Sequence, residues 1–153
     1  MSLKIEVGDL FNETMGKEDC ILVHGCNAQG IMGSGVAAVV KKLYPRAYTV
    51  YKNAKYYPGL KVGDVSISVA KGECQVANAV TQEYYGRDGK QYVSYDGVVE
   101  AMVDIASYAK ANNLKVHLPM IGGGLGGGDV KRLTAIFQAA FHDVDATLWL
   151  QEN

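Results

Sequence analysis

The stretch Leu22-Val23-His24-Gly25-Cys26-Asn27-Ala28-Gln29-Gly30-Ile31-Met32-Gly33-Ser34-Gly35-Val36-Ala37 joins an apolar run of strand length to a polar turn, and then to a small-residue loop that opens a helical pattern. Backbone amides at such a junction converge on the positive end of the helix dipole, and glycines let a ligand touch the main chain. The stretch therefore reads as an anion-binding corner of an α/β domain. A second loop of the same character, Ile121-Gly122-Gly123-Gly124-Leu125-Gly126-Gly127-Gly128-Asp129, follows another apolar run and precedes another helical pattern. Two such loops imply a ligand with two phosphates, or with a phosphate and a sugar, held between them.

Outward from these loops, apolar runs of strand length alternate with helix-length patterns, the signature of helices packed on a largely parallel sheet. Strands are expected at Lys4–Val7, Cys20–His24, Asp64–Val69, Gln75–Ala79, Lys115–Leu118 and Thr147–Leu150. Helices are expected at Gly35–Tyr44, Arg46–Ala54, Tyr95–Ala111 and Asp129–Phe141. In the last two, Val98, Val99, Met102, Ile105, Ala106 and Ala109, then Val130, Leu133, Phe137, Ala140 and Phe141, recur at helical spacing and read as core faces. Pro45 closes one helix, and Asp129 is placed to cap another. Thr81–Val93, with Gly86-Arg87-Asp88-Gly89 between tyrosines, has no periodicity and reads as a surface loop of the kind that carries function.

The length of 153 residues suits one domain, residues 1–153, with a single core. A net charge of −1 without a basic cluster argues against a genomic DNA or RNA partner. No run approaches the roughly 18 apolar residues of a membrane span, and the start lacks a signal-peptide pattern, so a cytoplasmic protein is expected. Cys20, Cys26 and Cys74 are odd in number and lack Cys-x-x-Cys spacing, which fits buried, reduced thiols better than a disulfide framework or a zinc ribbon. With only His117 and His142 beside His24, no metal site is expected.

Familiar phosphate signatures fail one by one. There is no Gly-x-x-x-x-Gly-Lys-Ser/Thr for a P-loop. Six residues after the cysteines stand Cys26, Met32 and Val80, so none has the arginine that a phosphocysteine mechanism needs. Gly122-x-Gly124-x-x-Gly127 matches the dinucleotide fingerprint, but the acidic residues Asp143 and Asp145 precede the following strand instead of ending it. From local sequence alone, His24 is as readily a core histidine as a functional one, and Asn27 and Asp9 are as readily turn residues as ligand contacts. Arg87 and Asp88 read first as solvated loop charges.

Taken together, Gly8-Asp9-Leu10, Leu22-Val-His24-Gly-Cys-Asn27, Met32-Gly-Ser-Gly35-Val-Ala37, Tyr85-Gly-Arg87-Asp88 and Gly122-Gly-Gly-Leu-Gly-Gly-Gly-Asp129 resemble the macro domain family. Within it they resemble the small ADP-ribose-1″-phosphate phosphatase branch of phage, bacteria and yeast, in the same order over nearly the whole chain. The resemblance implies a three-layer α/β sandwich with a mixed, mostly parallel six-stranded sheet between helices. It implies a small-molecule ligand, ADP-ribose or its 1″-phosphate, bound without metal or organic cofactor; the resemblance leaves the oligomeric state open, and a monomer is expected.

Carried over by position, Asp9 matches the aspartate that accepts from the adenine amino group, with Leu10 beside it. Asn27 matches the asparagine that bonds the distal ribose. The loops Gly33, Ser34, Gly35 and Val36, and Gly123, Gly124, Leu125, Gly126 and Gly127, match those that hold the diphosphate. His24 or Asp129 would activate water for hydrolysis of the 1″-phosphate, with Arg87 steadying charge on the phosphoryl group. Two other readings stay open: a non-catalytic ADP-ribose-binding module, and a de-ADP-ribosylating or deacylating hydrolase. One hydrolase branch uses a lysine after the fourth strand and an aspartate in the second glycine loop. Gln82, Glu83 and Gly126 stand at those places here.

Overall fold

The computed structural model describes residues 3–151. Its elements run β1 (Leu3–Val7), α1 (Leu10–Thr14), β2 (Cys20–Asn27), α2 (Gly35–Leu43), α3 (Pro45–Tyr56), β3 (Val65–Ser68), β4 (Gln75–Gln82), α4 (Tyr95–Ala111), β5 (Lys115–Leu118), α5 (Val130–Ala140) and β6 (Ala146–Leu150). The strands form one six-stranded sheet in the order β1-β6-β5-β2-β4-β3, parallel except for the antiparallel pair β3–β4. The chain's first and last strands are neighbours, with Leu3 opposite Ala146.

Strand parity divides the sheet's two faces. On β2, Ile21 and Val23 join the larger core, which α4 and α5 close with Met102, Ile105, Leu133 and Phe137. Cys20 and Leu22 turn to the other face, where Leu10 of α1, Val40 of α2 and Ala47 of α3 cover them. Cys26 lies with Met32 and Tyr51 in a small adjoining cluster. The result is the expected three-layer α/β sandwich.

Capping explains several boundaries. Pro45 starts α3 immediately after Tyr44, the C-cap of α2, as suits a residue with no N–H to donate. Ser94 caps α4 by accepting from the Gly97 N–H, and Asp129 caps α5 by accepting from the Lys131 N–H. Helix α1 was not expected. Its five residues are too few for a periodic signal, and Asp9 starts it by accepting from the Phe11 N–H at 2.9 Å.

Two core assignments shift. Val99 and Val130 are 43% and 50% exposed, because they lie at the outer edges of apolar stripes whose centres face the sheet. The Thr81–Val93 segment is a loop only in its middle. Thr81 and Gln82 end β4, and Val93 bridges back to Gln82. All three cysteines are free and buried, with the Cys20 and Cys74 sulfurs 2.9 Å apart. No helix among the described residues is long and apolar enough to cross a membrane.

Candidate functional site

A cavity of about 970 Å³ opens at the carboxyl ends of β2, β4, β5 and β6, where open α/β sheets collect ligands. One wall is the start of α2. Gly33, Ser34, Gly35, Val36 and Ala37 all line it, and Ser34 at the N-cap makes no side-chain capping bond. The first main-chain bond into this turn is from the Ala38 N–H to the Ser34 carbonyl, so the amides before it are without a main-chain acceptor among the described residues. Unpaired first-turn amides at the positive end of a nine-residue helix make a seat for an anion.

The facing wall is the second glycine loop, where Gly124, Leu125 and Gly126 line the cavity. Their amides also lack acceptors among the described residues, whereas the Gly123, Gly127 and Gly128 amides bond to Met120, Gly124 and Gly122 carbonyls within the loop. Gly123 and Gly127 are therefore structural members of the loop and do not line the cavity. The Gly126 carbonyl accepts from Tyr92 and Val93, tying the loop to the Tyr85–Val93 segment. That segment brings Tyr85, Gly86 and Arg87 to the same cavity. Arg87 is the only charged side chain on the wall among the described residues, and it has no ion-pair partner among them.

Asn27 reaches the cavity, but most of its amide is engaged in holding the turn that follows. Its Oδ1 accepts from the Gln29 N–H at 2.9 Å and from the Tyr51 hydroxyl at 2.9 Å, and its Nδ2 donates to the Ile31 carbonyl at 2.9 Å. One N–H of the amide is left over for a ligand.

Four other residues fall elsewhere. His24 shares strand parity with Leu22 and Cys26, so its ring points into the face covered by α3, fully buried and off the cavity wall. It bonds Asn78 Oδ1 at 2.6 Å, and Asn78 Nδ2 in turn donates to the Ala47 carbonyl and Ser66 Oγ. Burial draws its pKa from 6.5 down to about 4, the Asn78 bond opposing in part, which leaves a neutral structural ring. Asp129 is exposed, with its carboxylate engaged as the α5 cap, and it too is off the wall. Asp9 caps α1 just outside the cavity, two residues before Phe11, which lines it. Leu10 is a core residue of α1.

The apolar end of the cavity was not anticipated. Phe11, Val39, Trp149, Leu150 and Gln151 also line the cavity, as do Thr81 and Gln82 at the end of β4 and Pro119 to Gly122 after β5. A signal for most of them was available: they sit at the carboxyl ends of strands that were themselves legible. A second cavity of about 500 Å³ lies beside edge strand β3 and carries Asp64, Asp104 and Tyr108, but neither glycine loop reaches it.

Comparison with known proteins agrees with this geometry. The family model described as Macro domain matches residues 23–137, which include both anion-seat loops. A DNA ADP-ribosyl glycohydrolase of Mycobacterium tuberculosis is 28% identical over 135 residues, covering 84% of this chain and 37% of that protein. An ADP-ribose 1″-phosphate phosphatase of Ajellomyces capsulatus is 43% identical over 54 residues, covering 35% of this chain and 20% of that protein. The chain thus spans between about a fifth and two fifths of the length of these curated relatives. Among solved structures, Thermosipho africanus DarTG in complex with ADP-ribose superposes with a TM-score of 0.80 at 20% identity, over 96% of this chain and 41% of that one. The M. tuberculosis DarG macrodomain gives 0.81 at 23% identity over 96% of both chains. A mixed six-stranded sheet between helices, two amide-lined loops facing each other across its carboxyl edge, and a family match over three quarters of the length lead to one conclusion: the chain belongs to the macro domain family.

Proposed function

We propose that the cavity binds ADP-ribose and that its far end admits the phosphomonoester of ADP-ribose-1″-phosphate. The observation that carries this reading is the pairing of two sets of unengaged amides, from Gly33 to Ala37 and from Gly124 to Gly126, on facing walls that contain no carboxylate. Such walls favour a diphosphate, whose charge the α2 dipole and the amides share. The nucleobase lies at the Phe11 and Trp149 end, where the free oxygen of Asp9 is the acceptor for the adenine amino group. The distal ribose lies at the Asn27 end, with Arg87 beyond it for a further phosphate.

Hydrolysis of that ester is the second reading, favoured by the names of the phosphatase relatives. The cavity wall carries neither imidazole nor carboxylate among the described residues, so His24 takes no part in this proposal. Arg87 would balance charge on the phosphoryl group. Water would attack the phosphorus and the P–O bond to the ribose would break. The water's proton would pass to the phosphate oxygens or to a carboxylate outside the wall, such as Asp129, and the departing ribose oxygen would take a proton from that group or from solvent. The longer-matching relative is named a glycohydrolase, but Gln82, Glu83 and Gly126 stand where the lysine- and aspartate-using branch has its acting groups.

Calorimetry with ADP-ribose and with its 1″-phosphate, run beside an assay of phosphate release, tests both readings. Binding of both without release establishes a binding domain, and release establishes the phosphomonoesterase. Failure of ADP-ribose to bind at all overturns the proposal.

A further inference from the structure

Trp149, the single tryptophan of the chain, lies on β6 and lines the cavity. Its indole N–H donates to Nδ1 of His117 on β5 at 2.9 Å, with the ring centroids 6.1 Å apart and the planes inclined by 27°. His117 pairs in register with Thr147, so Trp149 is its diagonal neighbour on one face of the sheet. Gly8 abuts the indole: a Cβ there would lie 3.0 Å from Cζ3 and 3.1 Å from Cε3. The ring is thus held by a backbone stop and by one hydrogen bond.

That bond depends on charge. An imidazole can accept at Nδ1 only as the neutral tautomer protonated at Nε2, whereas imidazolium donates from both nitrogens and accepts at neither. Protonating His117 therefore breaks the bond and leaves a partly buried indole N–H without its acceptor.

We propose that His117 is a positioning residue for the ligand: by accepting the Trp149 N–H it fixes the aromatic wall at the nucleobase end, and it makes affinity fall when it is protonated. The effect on affinity rests on the ADP-ribose reading above; the coupling of the two rings does not. The charged groups facing His117 are Glu13 of α1, Lys17 and Asp19 between α1 and β2, and Asp145 before β6. Burial is the largest influence and Lys17 adds to it, so the ring titrates below 6.5 despite the three carboxylates. The wall is consequently set at neutral pH and released only as pH falls below 6.5.

The single tryptophan makes the test direct. Fluorescence of the ligand-free protein, followed from pH 7.5 downward through the range below 6.5 for as long as circular dichroism reports the native fold, should show a step in the wild type that is absent in His117→Gln. A glutamine carbonyl can accept the indole N–H without titrating. The ADP-ribose dissociation constant should rise about three- to tenfold over the same range in the wild type, the effect of one net hydrogen bond, and stay flat in His117→Gln. In Trp149→Phe, which removes the donor, it should also stay flat. A wild type with no step while folded, or the same step in His117→Gln, overturns the proposal. If ADP-ribose fails to bind at any pH, the functional reading falls, and the fluorescence step alone still decides the coupling.

Discussion

The two glycine loops look alike as sequences and do different things as structures. In the first, a Cβ on Gly35 would meet nothing within 4 Å, and the residue is a glycine because its φ is +61°. In the second, a Cβ on Gly126 would lie 2.8 Å from the Gly122 carbonyl oxygen, and one on Gly127 would lie 2.5 Å from that of Lys90. Only Gly124 in that loop is both open and on the cavity wall. The first loop uses its small residues for a left-handed turn and an open cavity wall, while the second uses most of them to let the chain cross itself. Glycine density thus marks close approach, but not what approaches.

Substitutions sharpen this contrast. Gly126→Ala should destabilise the fold by about 3 kcal/mol, because the obstructing atoms are backbone and cannot rotate away. That would lower the melting temperature by roughly 6–12 °C, measurable by calorimetry, for a chain of this size. Unchanged melting would mean the second loop is as loose as the first.

Acid should loosen the strand that leads into the first loop. His24 has an unfolded pKa near 6.5 and a folded value of about 4, so the unfolded chain binds the extra proton between them. Its contribution is complete above pH 6.5 and is lost progressively as pH falls toward 4, by about 3 kcal/mol in all. Urea unfolding at a series of pH values should show this slope, with His24→Asn flattening it.

Gly124→Glu separates seat from scaffold. With open space at this position the fold should survive, yet a carboxylate placed against the diphosphate should weaken ADP-ribose binding by about a hundredfold, read by calorimetry on a protein with near wild-type melting. The smallest effect is expected at Gly35→Ala, where left-handed backbone costs an alanine about 1 kcal/mol and no atom obstructs it. A melting shift of roughly 2–4 °C would fit, and a larger one would show that the first loop too is tightly packed.

The sheet was legible because each strand is an apolar run bounded by turn residues, and all six lie where the pattern places them, within a few residues at the ends. Both glycine loops were legible for a similar reason, since small residues after a strand and before a helix form a local signal. What could not be read was convergence. Phe11 and Trp149 become neighbours of one cavity only through a strand order that sets β1 beside β6. His24 shows the complementary failure. Its place near the end of β2 suggested reach, but parity sends its ring into the layer under α3, and only the packed structure shows that Asn78 is waiting there.

The pairing of β1 with β6 has a consequence for how the site comes into being. In the amino-to-carboxyl order of synthesis the cavity-lining loop at Gly33–Val36 precedes the part of the wall at Trp149, whose strand must find its partner at Leu3. Closing such a distant pair is the slow kind of step in folding. Until β6 has paired with β1 the cavity lacks Trp149, Leu150 and Gln151, so its wall is complete only once these two strands have met.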